Sequence, residues 1–264
     1  MISSLSAHVG YLWLVAASLI AGVMNALAAG GSFISFPAMI AIGVAPIQAN
    51  ATNTVALWPG QLASVWTLRQ DLRRDLVGVV VAASVVGGIL GAEVLLHTRP
   101  RTFVHLVPWL LLTASLLFWI SGPVSHWLRR RSETGQVSPL QQPHTPAMVP
   151  LFLTLLVVNF YIGYFGAGAG FLAMSVLSLF GVEEMSALNS LKNLGACLAN
   201  LCAALTFVWR GAVIWHYCLI SMVFAAVGGT IGSKFANRAS PNVLRRIVIS
   251  IGCTMAAYFF WRQP

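Results

Sequence analysis

The sequence predicts an all-α polytopic membrane protein made of two inverted repeats of about five apolar segments each, with short broken or re-entrant helices in each half. Of its 264 residues, 58% are hydrophobic and only 8% are charged. A soluble protein carries about 25% charged residues, so this chain has too few charges to cover a water-facing surface. The apolar residues form ten segments, and the segments of the two halves match in order. These observations exclude an ordinary soluble enzyme and a disordered protein.

The basic residues point to membrane orientation. The formal net charge is +9, and the 15 Lys and Arg residues lie mainly in short clusters between apolar segments. Such clusters are typical of membrane loops rather than of a nucleic-acid-binding face. We therefore expect the lipid bilayer as a partner and no nucleic acid. The four cysteines lie inside apolar segments without metal-binding or disulfide spacing, so we expect no metal and no cofactor.

The ten apolar segments set the architecture, because a helix needs about 20 residues to cross the hydrocarbon of a bilayer. Two of them, at 31–44 and 167–181, are too short for an ordinary span, and the sequence leaves open whether they cross fully or re-enter. No Lys or Arg precedes the first segment, so we expect a retained helix rather than a cleaved signal peptide. The ten segments lie at 9–29, 31–44, 49–68, 76–96, 103–121, 147–165, 167–181, 188–209, 212–233 and 243–261.

The two halves resemble each other in the order and spacing of short motifs. AAGGSF at 28–33 aligns with GAGAGF at 166–171 at an offset of 138, and VGGILG at 86–91 aligns with VGGTIG at 227–232 at an offset of 141. One loop insertion explains the drift, and we expect the paired glycines to allow close helix packing. The alignment predicts a first transmembrane repeat at 1–121, a cytoplasmic linker loop at 122–146, rich in Pro and Gln, and a second repeat at 147–264.

The basic residues also indicate how the repeats are related. If each half crosses the membrane an odd number of times, ten basic residues fall on one side and four on the other; an even number gives eight and six. Cytoplasmic loops carry an excess of Lys and Arg, which favours the odd number. We therefore predict inverted repeats, with both termini outside the cytoplasm and the linker inside.

Inverted repeats with interrupted helices are typical of secondary transporters, which bind substrate near the midplane where helices are broken. The broken helices expose backbone N–H groups, and their N-terminal ends favour an anion. Polar side chains follow or precede the short segments in both halves. They either line a substrate cradle or act as caps and interhelical hydrogen bonds, and the sequence leaves both open. The candidate substrate-binding residues are Asn25, Asn50, Thr52, Asn53, Asn189, Ser190, Lys192, Asn193 and Asn200, and Asn159 holds a position similar to that of Asn25.

Lys192 is the only Lys or Arg deep inside a predicted span, since Arg245 and Arg246 lie within the first four residues of theirs. A lysine at the centre of a membrane helix costs roughly 2.5–3.5 kcal/mol, so it should face the interior and have a partner. That partner is an anionic substrate or one of the preceding glutamates, Glu183 and Glu184. A lysine that extends to the cytoplasmic interface is the remaining alternative.

No catalytic set is visible in the sequence. The six histidines are scattered, and no motif of a nucleophile with a base or of paired carboxylates occurs, so we expect no enzyme. Glu93 lies near the end of its span, where we expect it at the interface beside Arg99 or Arg101, with a role in proton coupling as the alternative.

Several motifs together resemble a known family. AGGSFISFP, ANATN and WTLR in the first half, GAGAGF and ALNSLKN in the second, and the repeated GGxxGxxxxxxxxP resemble the sulfite exporter TauE/SafE family of membrane permeases over residues 9–261. The resemblance implies transport of small sulfur-containing or organic anions, such as sulfite or sulfonates, across the inner membrane. It also implies that the substrate pathway is flanked by Asn50, Thr52, Asn53, Asn189, Lys192 and Asn193.

The leading interpretation is a secondary transporter that moves a small, sulfur-containing anion by alternating access. The alternative is a non-transporting membrane assembly or scaffold protein whose polar runs join helices. The sequence does not select the anion, the direction of transport, the coupling ion (proton or sodium) or a homo-oligomeric state.

Overall fold

The computed structural model describes residues 2–28, 30–133, 148–182, 184–235 and 241–262. In these ranges the regular structure is helical throughout, which confirms the predicted all-α polytopic class. Each of the ten apolar segments forms one helix, and a short 3-10 turn at Arg69–Asp71 follows the third. The helices are α1 (Ile2–Ala28), α2 (Ser32–Ala41), α3 (Pro46–Leu68), α4 (Arg74–His97), α5 (Pro100–Glu133), α6 (Met148–Tyr164), α7 (Ala169–Leu179), α8 (Met185–Trp209), α9 (Trp215–Phe235) and α10 (Pro241–Arg262).

Five of the helices are long and apolar enough to cross a membrane by themselves, so the chain is a multi-pass membrane protein. Their apolar stretches lie in α1, α4, α5, α8 and α9. Although α3 has 23 residues, it is not among the five. Its run of amides and hydroxyls between Gln48 and Thr54 makes it less apolar, so α3 depends on neighbouring helices to cover it.

Helix α5 continues beyond the end of its predicted segment. It has 34 residues and is therefore about 51 Å long, more than the roughly 30 Å of bilayer hydrocarbon. Residues 122–133, expected to belong to the linker loop, are helical, because no Pro or Gly interrupts the chain from Val124 to Glu133. The rest of the expected loop lies outside the described residues, and the domain boundaries stay a prediction.

Equivalent helices of the two halves, α3 and α8, run in opposite directions. Thr52, near the start of α3, accepts a hydrogen bond at 3.0 Å from the backbone N–H of Ile214, which follows the end of α8. Ser190, near the start of α8, places its Oγ 2.9 Å from the carbonyl oxygen of Asp71, which follows the end of α3. Inverted repeats would give the third helices of the two halves opposite directions, and the inverted repeats and their placement in the membrane stay a prediction.

Each half packs its fourth helix against the other half. Helix α4 lies on α6 and α8, and α9 lies on α1 and α3. Glycines allow this approach: a side chain at Gly91 would overlap the α6 backbone at Phe160, and one at Gly228 would overlap the α1 backbone at Leu19. This confirms the expected packing role of the glycine motifs, and it makes the two halves interdependent.

The short segments form short helices, as predicted. With 10 and 11 residues, α2 and α7 are about 15 Å and about 17 Å long. Helix α2 turns back along α1, since Gly31 contacts Ala21 and Asn25 while Ile42 lies against Gly10. The first turn of α7 lies beside Lys192, seven residues and about 10 Å along α8. Helix α7 therefore begins inside the protein, away from the end of α8.

Candidate functional site

The polar residues of α3 are buried and bonded to other helices. Asn50, Thr52 and Asn53 are at most 3% exposed. Asn50 Nδ2 donates to the carbonyl oxygen of Tyr164 at 3.1 Å, at the end of α6. Asn53 Oδ1 accepts a hydrogen bond from the hydroxyl of Ser35 in α2. Together with the bond from Thr52 to the start of α9, these contacts fix α3 within the bundle.

The polar residues of α8 form a stripe along one face. The positions of Asn189, Lys192, Asn193 and Asn200 follow helical spacing, and the first three are only half-buried. Lys192 Nζ donates to Asn189 Oδ1 at 3.2 Å, and its methylenes lie against Gly170 in the first turn of α7. Within the described ranges, the Asn193 side chain makes no hydrogen bond. This stripe therefore keeps hydrogen-bonding groups that the protein does not use.

Two other candidates, Ser190 on α8 and Glu184 directly before it, bond outside the stripe. Ser190 is buried and contacts the carbonyl oxygens of Asp71 and Ala187, so it faces away from the stripe. Of the two glutamates considered as partners of Lys192, Glu184 instead accepts a hydrogen bond from Ser186 at 2.7 Å. Glu183 lies outside the described residues.

Asn200 ends the stripe deep in the protein, where it meets α3. Its Nδ2 donates to Gln61 Oε1 at 3.0 Å, and one turn away Trp58 Nε1 donates to the carbonyl oxygen of Cys197 at 3.1 Å. Sequence reasoning missed Gln61, because it stands alone outside the polar run of α3. The available signal was its alignment with Ala199, next to Asn200, at the offset of 138.

The two asparagines that precede the breaks have different surroundings. Asn25 is half-buried and lies beside Gly31 of α2 and close to Gly60 of α3. Asn159 is buried, donates to the carbonyl oxygen of Leu155 at 2.8 Å and packs against Gly87 of α4. The structure thus brings Asn25 near the α3–α8 contact, whereas Asn159 joins α6 to α4.

The second half of α3 has a small and polar face that is exposed, called the open face below. Gly60, Ala63, Ser64 and Thr67 share one helix face and are all exposed, in contrast to the apolar face marked by Trp66. Thr67 lies at the end of α3 near Asp71, which Ser190 contacts. The open face therefore lies at the end of α3 where α8 begins, and further along α3 Gln61 meets Asn200 of the stripe.

The electrostatics at this end favour a small anion. Lys192 brings a positive charge to the first turn of α7, whose N-cap Gly168 has a positive φ of 75° and no side-chain cap. The N-terminal end of a helix carries partial positive charge and uncapped N–H groups. The described residues contain no group of three His, Cys, Asp or Glu side chains that could hold a metal. The arrangement therefore offers a cation and amide donors.

Glu93 lies at an exposed end of α4, as expected, but its partner differs from the expected Arg99 or Arg101. Arg210, which caps α8, forms a bidentate pair with the Glu93 carboxylate at 3.0–3.2 Å. The reason is that α4 and α8 run side by side in the same direction, so their ends meet. Exposed pairs of this kind contribute little to stability, about 0–1 kcal/mol.

Comparison with known proteins agrees with this architecture. A probable membrane transporter protein of Sinorhizobium sp (ORF9) is 26% identical over 251 residues, covering 92% of this chain and 90% of its own. The probable membrane transporter protein YfcA of Escherichia coli K12 is 26% identical over 255 residues, covering 94% and 88%. A probable membrane transporter protein of Haemophilus influenzae is 24% identical over 248 residues, covering 92% of each chain. No solved structure matches.

The relatives are named as transporters, which agrees with a protein that is not an enzyme and does not favour a scaffold role. The profile of one family, described as sulfite exporter TauE/SafE, matches residues 14–259, nearly the whole chain. The protein therefore belongs to the sulfite exporter TauE/SafE family of membrane transporters.

Proposed function

We propose that this membrane transporter moves a small, sulfur-containing anion, such as sulfite or a sulfonate, across the cytoplasmic membrane by alternating access. The anion enters along the stripe of α8, from the end where α8 begins and α3 ends. Asn189, Lys192 and Asn193 attract and orient it, while Asn200 and Asn25 lie deeper. Asn50, Thr52, Asn53 and Ser190, whose hydrogen bonds the protein already uses, hold the surrounding helices in place.

The observation that carries the proposal is the position of Lys192. A charged side chain inside a membrane helix requires a compensating partner. Lys192 has the neutral oxygen of Asn189 at 3.2 Å, and Glu184 bonds elsewhere. An anion that binds between Lys192 and the first turn of α7 would complete the compensation, because helix N-termini also favour negative charge.

Alternating access is supported by the opposite directions of α3 and α8. At the end where α8 begins, the polar faces of both helices are accessible. At the other end, Asn50 donates to the carbonyl oxygen of Tyr164, and the neighbouring Phe165 packs edge to face against Phe36 with ring centroids 5.5 Å apart. One end is therefore accessible while the equivalent end is packed, which is the asymmetry that a one-sided state requires.

The test is uptake by proteoliposomes that contain the purified full-length protein. The Lys192→Met variant should lose at least about tenfold of sulfite or methanesulfonate uptake, equivalent to about 1.4 kcal/mol. Its melting temperature should stay near that of the wild type, since Met keeps the packing on Gly170. Lys192→Arg, which keeps the charge, should retain measurable uptake and is the matched control.

Two results would contradict the proposal. If the Lys192→Met variant took up the anion at the rate of the wild-type protein, Lys192 would not belong to the substrate site. Failure of the wild-type protein to take up, or be stabilised by, sulfite, sulfate, thiosulfate, sulfonates or short carboxylates would favour the scaffold alternative.

A further inference from the structure

The side-chain contact between Gln61 and Asn200 joins the two halves at a level where a substrate site is expected. We propose that these two amides are the deepest contact of the transported oxyanion, and that they separate and turn their N–H groups toward its oxygens. This inference rests on the proposed function, and it adds Gln61, on the opposite helix, to the binding residues.

The depth of the pair follows from the hydrogen bonds that join the ends of α3 and α8. Gln61 lies nine residues beyond Thr52 and ten before Asp71, which is about 14 Å and about 15 Å along the helix. Asn200 lies ten residues beyond Ser190 and ten before Arg210. Both amides are therefore midway between the ends of their helices, close to the middle of roughly 30 Å of hydrocarbon.

The Gln61–Asn200 pair has side-chain N–H groups that form no hydrogen bond with the described residues. One N–H of Asn200 is used on Gln61 Oε1, and the two side-chain amides form no further hydrogen bond with the described residues. The second N–H of Asn200 and both N–H groups of Gln61 are donors without acceptors. The oxygens of an unprotonated oxyanion only accept hydrogen bonds, so they fit these donors. Neutral amides hold an anion less tightly than a charged site would, which suits a substrate that must leave.

Glycines lie close to both amides, where larger side chains would crowd them. A side chain at Gly166 would come within 3.7 Å of Asn200 Oδ1, and Gly166 has a positive φ of 78° that favours glycine. On α3, the neighbouring Gly60 is exposed. Because Gln61 and Asn200 belong to equivalent helices that run in opposite directions, the pair can be reached from either end as one or the other opens.

A purely structural role for the pair makes a different prediction. The contact between Trp58 and Cys197, one turn away, joins the same two helices. If Gln61 and Asn200 only joined α3 to α8, loss of either contact would affect the protein in the same way. If they bind substrate, a negative charge at the amides should repel the anion, while loss of the Trp58 hydrogen bond should not.

The experiment compares Gln61→Glu and Asn200→Asp, which keep side-chain shape, with Trp58→Phe as control, in proteoliposomes. Methanesulfonate is the probe, since it keeps one negative charge at acidic and neutral pH.

At about pH 8, both acidic variants should lose about tenfold or more of wild-type uptake through a raised KM, because like charges repel strongly in a desolvated site. Burial at the middle of the membrane should raise the pKa of the new carboxyl above its usual value of about 4, so at about pH 5 its protonation should restore part of the uptake relative to wild type. Trp58→Phe should stay within about twofold of wild type at both pH values.

Each outcome decides the question once melting curves confirm folded protein. Unchanged KM in both acidic variants, or an equal loss in Trp58→Phe without recovery at low pH, would overturn the role of the amide pair while leaving the transporter intact. Loss in only one variant would overturn the role of the other residue. If the wild-type protein itself takes up neither methanesulfonate nor sulfite above empty liposomes, the proposed function fails, and this inference fails with it.

Discussion

The polar runs of α3 and α8 each follow the short helix of their half of the chain, yet the protein uses them differently. Asn50, Thr52 and Asn53 are buried, and each is bonded to another part of the fold. Asn189 and Lys192 bond to each other, and both are half-buried. The run on α3 is therefore a frame, that is, a set of side chains that holds neighbouring helices together. The run on α8 is an accessible polar surface.

The difference shows that polar side chains inside a membrane helix can have two distinct roles. Buried amides and hydroxyls that form hydrogen bonds with other helices stabilise the contact between those helices. Groups that keep free donors, next to a lysine and a helix N-terminus, are instead available to a ligand.

The largest expected effect concerns glycines at equivalent positions in the two halves. A side chain at Gly88 would overlap the backbone of Ala199, whereas one at Gly229 would meet only the Gly22 carbonyl oxygen at 3.8 Å, an ordinary contact. Gly88→Ala should therefore destabilise the protein by about 3 kcal/mol, near the upper end for overpacking. Gly229→Ala should be neutral or slightly stabilising, since alanine favours the helix. Thermal melting in one detergent checks both, and equal shifts would show that the halves pack alike.

A smaller effect is expected from Thr52→Val, which keeps the side-chain shape but removes the acceptor of the Ile214 N–H. Leaving that N–H unpaired should cost about 1–3 kcal/mol. Uptake of sulfite per folded molecule should change little, because Thr52 belongs to the frame. Chemical denaturation and proteoliposome uptake measure the two quantities, and a loss of uptake without a loss of stability would place Thr52 in the pathway instead.

The smallest change in stability is expected for Asn193→Ala on the stripe of α8. The side chain makes no hydrogen bond with the described residues, so the unfolding free energy should stay within about 0.5 kcal/mol of wild type. Uptake should nevertheless fall several-fold, because an amide donor to the anion is lost. The opposite pattern, a destabilised protein with normal uptake, would make the stripe part of the frame.

Much of the fold could be predicted from the sequence, because membrane helices are fixed by length and hydrophobicity. The short α2 and α7 and the close packing at the GG motifs follow from local composition. The contrast between Thr52 and Lys192 could not be predicted, since it depends on which helix of the opposite half covers each run. For the same reason, the pairing of Glu93 with Arg210 and the partner of Asn200 required knowledge of which helices run side by side.

The central claim is that Asn193 lies on an accessible pathway while its counterpart region at Asn53 is sealed. In a variant whose native cysteines are replaced by serine, a cysteine at either position can be labelled with a membrane-impermeant maleimide. We expect labelling of Asn193→Cys from one face of the membrane, slowed by methanesulfonate, and no labelling of Asn53→Cys. Equal labelling of both, or labelling of Asn193→Cys that methanesulfonate does not slow, would contradict it.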